Sequence, residues 1–338
     1  MGINGLLPAL RSIQKTRRFE DYSGKTVAVD AYVWLHKGVY GCATELALGK
    51  PTHKYVMYAM ERVRALRHYN IEPYIVFDGG PLPAKKGTEH ERKQKRDEYL
   101  ARGKAHHRQG RASEARDCFV KCVDVTPQMA FQLIKALQAE NVKYVVAPYE
   151  ADAQLAYLER TGIVDAILTE DSDLLVFGCK EVLFKLDINA CTVVSISRSD
   201  FGSVASTSKE PSAISLFGWS DAQFRAMAML SGCDYLPSIH GVGLKTANAL
   251  LRKWKTVEHA IKALAREGKK TIPFGYLKQF QLAEKCFLHQ RVYCPQAQKL
   301  VHLTPVGDDW NAEFDAYVGG YVSVVQRHVY MRIAEHTL

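Results

Sequence analysis

No stretch of the 338 residues comes near the ~18 consecutive apolar positions of a membrane span, so no membrane partner is expected. The opening MGINGLLPALRSIQK does not couple a basic leader to a long apolar run, so no secretory signal is expected. Leu6 stands where N-myristoylation needs Ser or Thr, which argues against that modification too. The eight cysteines show no zinc spacing, and Cys118 and Cys122 have no matching second pair. They read as free or buried thiols of a reducing compartment, and the chain as soluble and intracellular. There is no internal repeat. What is in excess is positive charge: 45 Lys and Arg against 36 Asp and Glu give +9. That balance favours a polyanionic partner, and at 47% apolar the chain can fill a sizeable core.

Four runs read as buried strands: KTVAVD (25–30), EPYIVFDGG (72–80), VKYVVAPYE (142–150) and VDAILTEDSD (164–173). Each is short, rich in Val, Ile and Tyr, and hardly alternates, as suits a parallel strand covered on both faces. Helical patterns lie between them. Thr126-Pro127 reads as an N-cap with proline in the first turn, followed by an apolar stripe at Ala130, Leu133, Ile134 and Leu137. A helix is expected from near Glu150 to before Gly162, and Ser220 with Gln223 makes a capping box for a helix through about Leu230. Strand–helix–strand recurrence implies an α/β fold with a mostly parallel central sheet flanked by helices. Residues 197–215 are Ser-rich and read as a flexible surface loop. The last 70 residues give no clear pattern.

The strand ends share one feature. Asp30 follows TVAV, Asp78 follows YIVF, Glu150 and Asp152 follow YVVAPY, and Asp171 and Asp173 follow AILTE. In an open parallel sheet that edge is where ligands bind. Asp234, after an apolar helix, is positioned to join them. A single Asp after a strand is ordinarily a turn former or helix cap, and Glu170 and Asp165 are left in that class. Two like charges ~4 Å apart repel by about 4 kcal/mol at an effective dielectric of 20. Ten such pairs, most of them further apart, sum to roughly 20 kcal/mol, more than the 5–15 kcal/mol by which a domain is stable. Such a cluster must hold protons, spread out, or bind cations. All-oxygen donors without a convergent His suit Mg²⁺ or Mn²⁺ rather than zinc. Two such ions near 4 Å apart suit in-line attack of water on a phosphodiester.

From Lys85 to Arg116 there are eleven Lys or Arg against Glu89, Glu91, Asp97, Glu98 and Glu114, a net of 11 − 5 = +6. A solvated helix laced with i,i+4 pairs is one reading. A cationic cover over the acidic edge, for a phosphate chain, is the other. Lys85 and Arg92 lie seven apart, on one face of a helix, placed to reach the scissile phosphate. GVGLK (241–245) is an ordinary glycine turn, or, with Gly241, Gly243 and Lys245, a second phosphate anchor at a helix N-terminus. Tyr32 and His36 closely follow Asp30, and aromatics there could stack on a base or simply pack in the core.

MGINGLL, VAVDAYVWLHKG, VFDGG, APYEADAQLAYL, TEDSDLLVFG and SGCDYLPSIHGVGLKTA together resemble the 5′-nuclease (flap endonuclease) family. The resemblance implies one nuclease domain over 1–338, with an N-terminal region 1–99, a helical arch at about 85–125, an internal region at about 138–250 and a C-terminal helical part 251–338. It implies two metal ions per site, Mg²⁺ with Mn²⁺ able to substitute, on Asp30, Asp78, Glu150, Asp152, Asp171, Asp173 and Asp234. Lys85 and Arg92 match the basic catalytic pair at the base of the arch. Gly2 matches a small N-terminal residue near the active site, and Tyr32 and His36 match contacts to a frayed 5′ end. Residues 231–246 match a helix–two-turn–helix gripping duplex DNA, where Ser231 and Ser238 hydroxyls and the Val242 carbonyl would hold K⁺. The chain ends in VYMRIAEHTL without a sliding-clamp peptide, and the long tail usual in exonuclease members of the family is not seen.

The function expected is therefore a metal-dependent 5′→3′ exonuclease on double-stranded DNA with 5′-flap endonuclease activity. Its DNA partner would be a duplex with a 5′ end, nick, gap or flap. The resemblance further implies nuclear DNA repair, mismatch-repair proteins as partners, and a monomer. A replicative flap endonuclease, a non-catalytic DNA-structure binder and a small-molecule phosphatase are the alternatives. The last leaves the +6 segment unexplained.

Overall fold

Nine strands are present in the computed structural model, which describes residues 2–204, 214–268 and 270–320: β1 (Lys15–Arg18), β2 (Thr26–Asp30), β3 (Glu72–Phe77), β4 (Lys143–Val146), β5 (Ala166–Leu168), β6 (Glu181–Asp187), β7 (Thr192–Ser197), β8 (Arg291–Cys294) and β9 (Lys299–His302). The first seven form one sheet in the order β1-β7-β6-β5-β2-β3-β4. β2 to β6 run parallel in that sheet, with Asp30 paired to Val76 and Val29 to Leu168. β7 and β1 close one side antiparallel.

Alternate residues of the central strands enter two separate cores. Ala28, Val76, Ile167 and Val182 face one. Val27, Val29, Ile75, Phe77, Ala166 and Leu168 face the other. Both faces are therefore dry, which is why these strands read as unbroken apolar runs; each fully buried Val, Ile or Phe contributes about 1.5–3 kcal/mol. The helices carry the covering faces. Thr126 caps Pro127–Ala139 by accepting from the Met129 amide at 3.3 Å, and Ala130, Leu133, Ile134 and Leu137 are buried as the stripe required. Ser220 and Gln223 form the capping box of Asp221–Ser231.

Several expectations are corrected. The first foreseen strand ends at Asp30 as read, and the other three end earlier, at Phe77, Val146 and Leu168, because the acids beyond them lie in helix starts or turns. β1, β6 and β7 had no counterpart in the reading. β1 is KTRR with all four side chains exposed, an edge strand held by its backbone pairing to β7 and by the Lys15–Asp200 ion pair at 2.6 Å, so no apolar signal exists to find. The Ser-rich stretch 197–215 is not loop throughout. Arg198–Ser203 is a 3₁₀ turn with Phe201 buried against Phe224 at 4.9 Å, and Leu216 returns to bond the Val204 carbonyl at 2.9 Å. Residues 205–213 lie outside the described part, as does VYMRIAEHTL. The C-terminal part is not wholly helical: Val257–Glu267 and Tyr276–His289 are followed by the β8–β9 hairpin and the short helix Ala312–Val318.

All eight cysteines are free thiols. Among the described residues no helix is long and apolar enough to cross a membrane.

Candidate active site

The parallel strands bring their acidic ends to one edge. Asp30 closes β2 and caps the helix Ala31–Tyr40: its Oδ1 accepts from the amides of Tyr32 at 2.9 Å and Val33 at 3.3 Å. Its Oδ2 accepts from the Thr169 hydroxyl at 3.3 Å. Asp78 follows β3, and its Oδ1 accepts from the Ala151 amide at 2.7 Å, tying the end of one strand to the next helix start. Gly79 and Gly80 donate to the carbonyls of Tyr149 at 2.6 Å and Pro148 at 3.0 Å. A Cβ on Gly79 would lie 2.0 Å from the Ala147 carbonyl oxygen, so only glycine permits this crossing. Glu150 precedes the helix Ala151–Arg160 and Asp152 sits in its first turn. Asp171 accepts from the Asp173 amide at 2.9 Å.

The carboxyls feel one another. Burial, and then Asp78, push the Asp30 carboxyl up to about 7. Burial likewise pushes Asp78 up to about 6, with the Glu150 charge adding to it. Asp152 is raised well above the usual range by burial, then by Asp171 and Glu150. Asp173 is raised by burial, then by Asp171, and its Oδ1 is buried with no hydrogen-bond partner. Asp171 is raised by burial as well. Asp234 is the exception: against the upward push of burial, Lys85 and Arg92 hold it below the ordinary value.

Lys85 stands between Glu150 and Asp234. Its ammonium pairs with Glu150 Oε1, lies 3.4 Å from Asp234 Oδ2, and sits 5.0 Å above the Tyr235 ring. Burial lowers its pKa, but Glu150, Asp152 and Asp234 outweigh that and raise it overall, so it is charged. Arg92 pairs with Asp234 at 2.8 Å and with Glu89 at 2.9 Å. Both come from the segment read as an arch, which is the 23-residue helix Lys86–Arg108, with Lys85 at its cap, and the helix Ala112–Cys122. Phe119, Ala115 and Cys122 form its small core with Ala43. Of the eleven cations, Lys85, Arg92, Arg96 and Arg111 pair with acids; the others make no ion pair among the described residues. A self-neutralised, solvated helix would pair more of them.

The donors fit a divalent ion: all-oxygen, with Asp30 and Asp173 buried, the other five half-buried, and one oxygen orphaned. Among the described residues no group of three or more Asp, Glu, His or Cys is already drawn together as a cage. Repulsion and the Lys85 pairing both act to hold the acids apart. Glu170 turns away to Lys37 at 2.6 Å, and Asp165 binds the Thr26 amide at 2.8 Å, so both stay outside the cluster as read.

Gly2 reaches the site. With φ of +81°, its missing Cβ would meet Asp171 Oδ1 and Ser172 Oγ at 2.4 Å. Tyr32 and His36 stand half-buried on one turn, ring centroids 6.5 Å apart. The turn after Asp221–Ser231 leads through Gly241 and Gly243 into Leu244–Trp254, whose Lys245 is exposed. Ser231 donates its hydroxyl hydrogen to the Ala228 carbonyl at 2.7 Å, leaving its oxygen able to accept. Ser238 is exposed, 3.6 Å from where a Gly232 Cβ would lie, and Val242 is buried. The sequence reading missed Thr169, Tyr235, Gln290 and Lys270. Lys270 donates to the Gly241 carbonyl at 2.7 Å across the glycine turn. Tyr235, next to Asp234, and Thr169, two residues before Asp171, lie within quoted motifs; Gln290 and Lys270 gave no sequence signal.

The XPG N-terminal domain matches residues 1–99 and the XPG I-region matches residues 141–234. DNA damage-inducible protein DIN7 of Saccharomyces cerevisiae is 38% identical over 306 residues, which are 90% of this chain and 70% of that protein. The chain belongs to the XPG-type 5′-nuclease family. Within that family it is 45% identical to exodeoxyribonuclease 1 of Schizosaccharomyces pombe over 95% of this chain and 55% of that protein. It is also 45% identical to exonuclease 1 of Arabidopsis thaliana, over 94% and 42%. The chain spans about half the length of these two relatives. The fold matches the catalytic core of Rad2 in complex with DNA substrate, with a TM-score of 0.60 at 20% identity over 99% of this chain and 95% of that one. It also matches GEN1 with product DNA and a Mg²⁺ ion (TM-score 0.55, 20% identity, 88% and 66%) and a potassium-bound GEN-1 (0.54, 17%, 98% and 73%).

Proposed function

We propose that this chain is a single nuclease domain that hydrolyses phosphodiesters of DNA from the 5′ end, a 5′→3′ exonuclease on duplex DNA that also cuts 5′ flaps. The observation that carries this is the edge cluster itself: seven acids from five segments of the chain, five of them raised above their ordinary values by burial and by one another, beside the Lys85 ammonium. Asp30, Asp78, Glu150, Asp152, Asp171, Asp173 and Asp234 would hold two divalent ions, Mg²⁺ or in its place Mn²⁺. Bound there, the ions supply Lewis-acid polarisation of water and of the scissile phosphodiester. Asp30 and Asp78, fixed by backbone amides, keep their carboxyls at the edge. Lys85 and Arg92 place positive charge where a phosphate arrives; the phosphate competes with Glu150 and Asp234 for them.

Gly2 lets the N-terminal backbone approach Asp171 where the nucleotide would arrive, and Tyr32 and His36 offer ring faces to a frayed 5′ base. Gly241, Gly243 and Lys245 anchor the duplex away from the chemistry, with K⁺ held by the Ser231 and Ser238 oxygens and the Val242 carbonyl. The exonuclease and damage-inducible names of the relatives support a nuclear repair role such as mismatch repair or end resection, with mismatch-repair proteins as partners. A monomer suffices, since every group named comes from one chain.

The test sets a 5′-recessed duplex beside a 5′-flap duplex, with Mg²⁺ and with EDTA. Metal-dependent degradation of the recessed duplex to short products is expected. Clean excision of flaps alone would make it a replicative flap endonuclease, and duplex binding without cleavage a DNA-structure binder. Asp171→Ala and Asp173→Ala abolish cleavage and leave duplex binding mostly intact on this reading; near-normal turnover in either would refute it.

A further inference from the structure

Gln290 is wholly buried, yet it sits in a segment matched by neither family domain. It lies at the end of the helix Tyr276–His289, immediately before β8. Its Nε2 donates to Glu150 Oε2 at 3.0 Å and to the Tyr235 hydroxyl at 3.2 Å. The Tyr235 hydroxyl donates to the same Glu150 Oε2 at 2.5 Å. Glu150 Oε1 is left to Lys85. These three donors are thus divided between the two oxygens, and of the two ends of the Gln290 amide only the nitrogen can face an acceptor-only carboxylate.

We propose that Gln290 is a positioning residue for Glu150, with Tyr235 as its partner, so that the C-terminal segment completes the acid cluster. The inference rests on the metal-nuclease reading above. A carboxylate with free oxygens rotates about its terminal bond. Two donors on one oxygen fix its plane and keep the other directed at Lys85 and the cluster, as outer partners do for groups that hold metals.

Two further observations fit positioning better than simple core filling. Gln290 Oε1 is buried without a hydrogen-bond partner, so the amide is satisfied only on the side facing Glu150. And the same face of the helix Ala151–Arg160 is laced to the same segment one turn later. Gln154 Oε1 accepts from the Tyr293 amide at 2.7 Å, and Gln154 Nε2 donates to the Tyr293 carbonyl at 2.8 Å. Positions 150 and 154 share a helix face. The Tyr317 hydroxyl donates to the Tyr235 carbonyl at 2.7 Å, holding the second donor in place.

The test measures kcat and KM on a 5′-recessed duplex, and Mn²⁺ affinity of the free protein by calorimetry. Gln290→Met keeps the side chain's length without its donors; Gln290→Asn keeps the amide but withdraws it, and serves if the first fails to fold. Each is made in the wild-type and Glu150→Gln backgrounds. In the wild type, kcat or Mn²⁺ affinity falls about 10–100-fold with KM nearly unchanged. In Glu150→Gln the same substitution adds no further loss in Mn²⁺ affinity. Wild-type values in both variants, or equal losses in both backgrounds, overturn the proposal. Asp171→Asn separates the levels: normal Mn²⁺ binding and cleavage there would sink the metal reading itself, while a dead Asp171→Asn beside a silent Gln290→Met sinks only the role of Gln290.

Discussion

Replacing Asp30 by Asn should make the metal-free protein more stable while destroying its activity. Asp30 is 7% exposed, and burial followed by the nearby Asp78 charge lifts its carboxyl from 3.8 to about 7. That gap corresponds to ~4 kcal/mol at 1.36 kcal/mol per tenfold. The sign follows from linkage. A carboxyl with a raised folded-state pKa favours its protonated form, so it costs nothing below about pH 3, where both states are protonated. The cost grows as pH rises and is complete above about 7. Asn keeps the fold's use of the position: its Oδ1 can still accept from the Tyr32 and Val33 amides, and its Nδ2 can donate to Thr169 Oγ1. Urea unfolding in EDTA at pH 8 should therefore show Asp30→Asn more stable by up to ~4 kcal/mol, a gain under ~2 kcal/mol at pH 5 and absent near pH 3. Adding Mg²⁺ should raise the wild type more than the variant and narrow or reverse the order, because a ligand stabilises only the state that binds it. A variant less stable than wild type at pH 8 in EDTA would show that the cluster is not in electrostatic conflict, and the case for bound cations would go with it.

Lys85→Met removes the charge between Glu150 and Asp234 and should cut turnover by about 10²-fold, far more than duplex affinity; equal losses in the two would mean plain attraction. Lys245→Ala should weaken duplex binding regardless of sequence and lower the salt slope by about 1, read by titrating salt. An unchanged slope would leave the glycine turn without a phosphate contact. Gly79→Ala forces a Cβ against the Ala147 carbonyl and should destabilise by at least 1–3 kcal/mol, with Asp78 displaced and cleavage lost. A wild-type melting curve would show that this crossing has more room than the structure gives it.

The legible and illegible parts of the molecule divide on a physical line. The central strands and their acids could be read because a parallel strand between two cores writes its burial into every residue, as VAV and YIVF do, and the polar residue that ends the run must face the edge. The capping box at Ser220 is legible because its partners are three residues apart. β1 could not be read, since its four exposed residues contribute only backbone bonds to β7. β6 and β7, joined by the short turn between Asp187 and Thr192, lie outside the strand–helix–strand pattern that the reading followed.

The same line explains why the acids were found and their supports were not. A charged strand end announces itself against apolar neighbours. Gln290 and Tyr235 act on Glu150 from 140 and 85 residues away, and a glutamine before a strand looks like any other. Yet the supports are what make the acids usable. Seven carboxylates at one edge would open the sheet unless each were constrained. Backbone amides hold Asp30 and Asp78, the lysine at the cap of the arch helix holds Glu150 and Asp234, and the C-terminal segment holds the far oxygen of Glu150. Asp173 keeps a buried oxygen for which no donor stands among the described residues. A cluster restrained from three directions and left open in a fourth is rigid enough to select an ion and incomplete enough to need one.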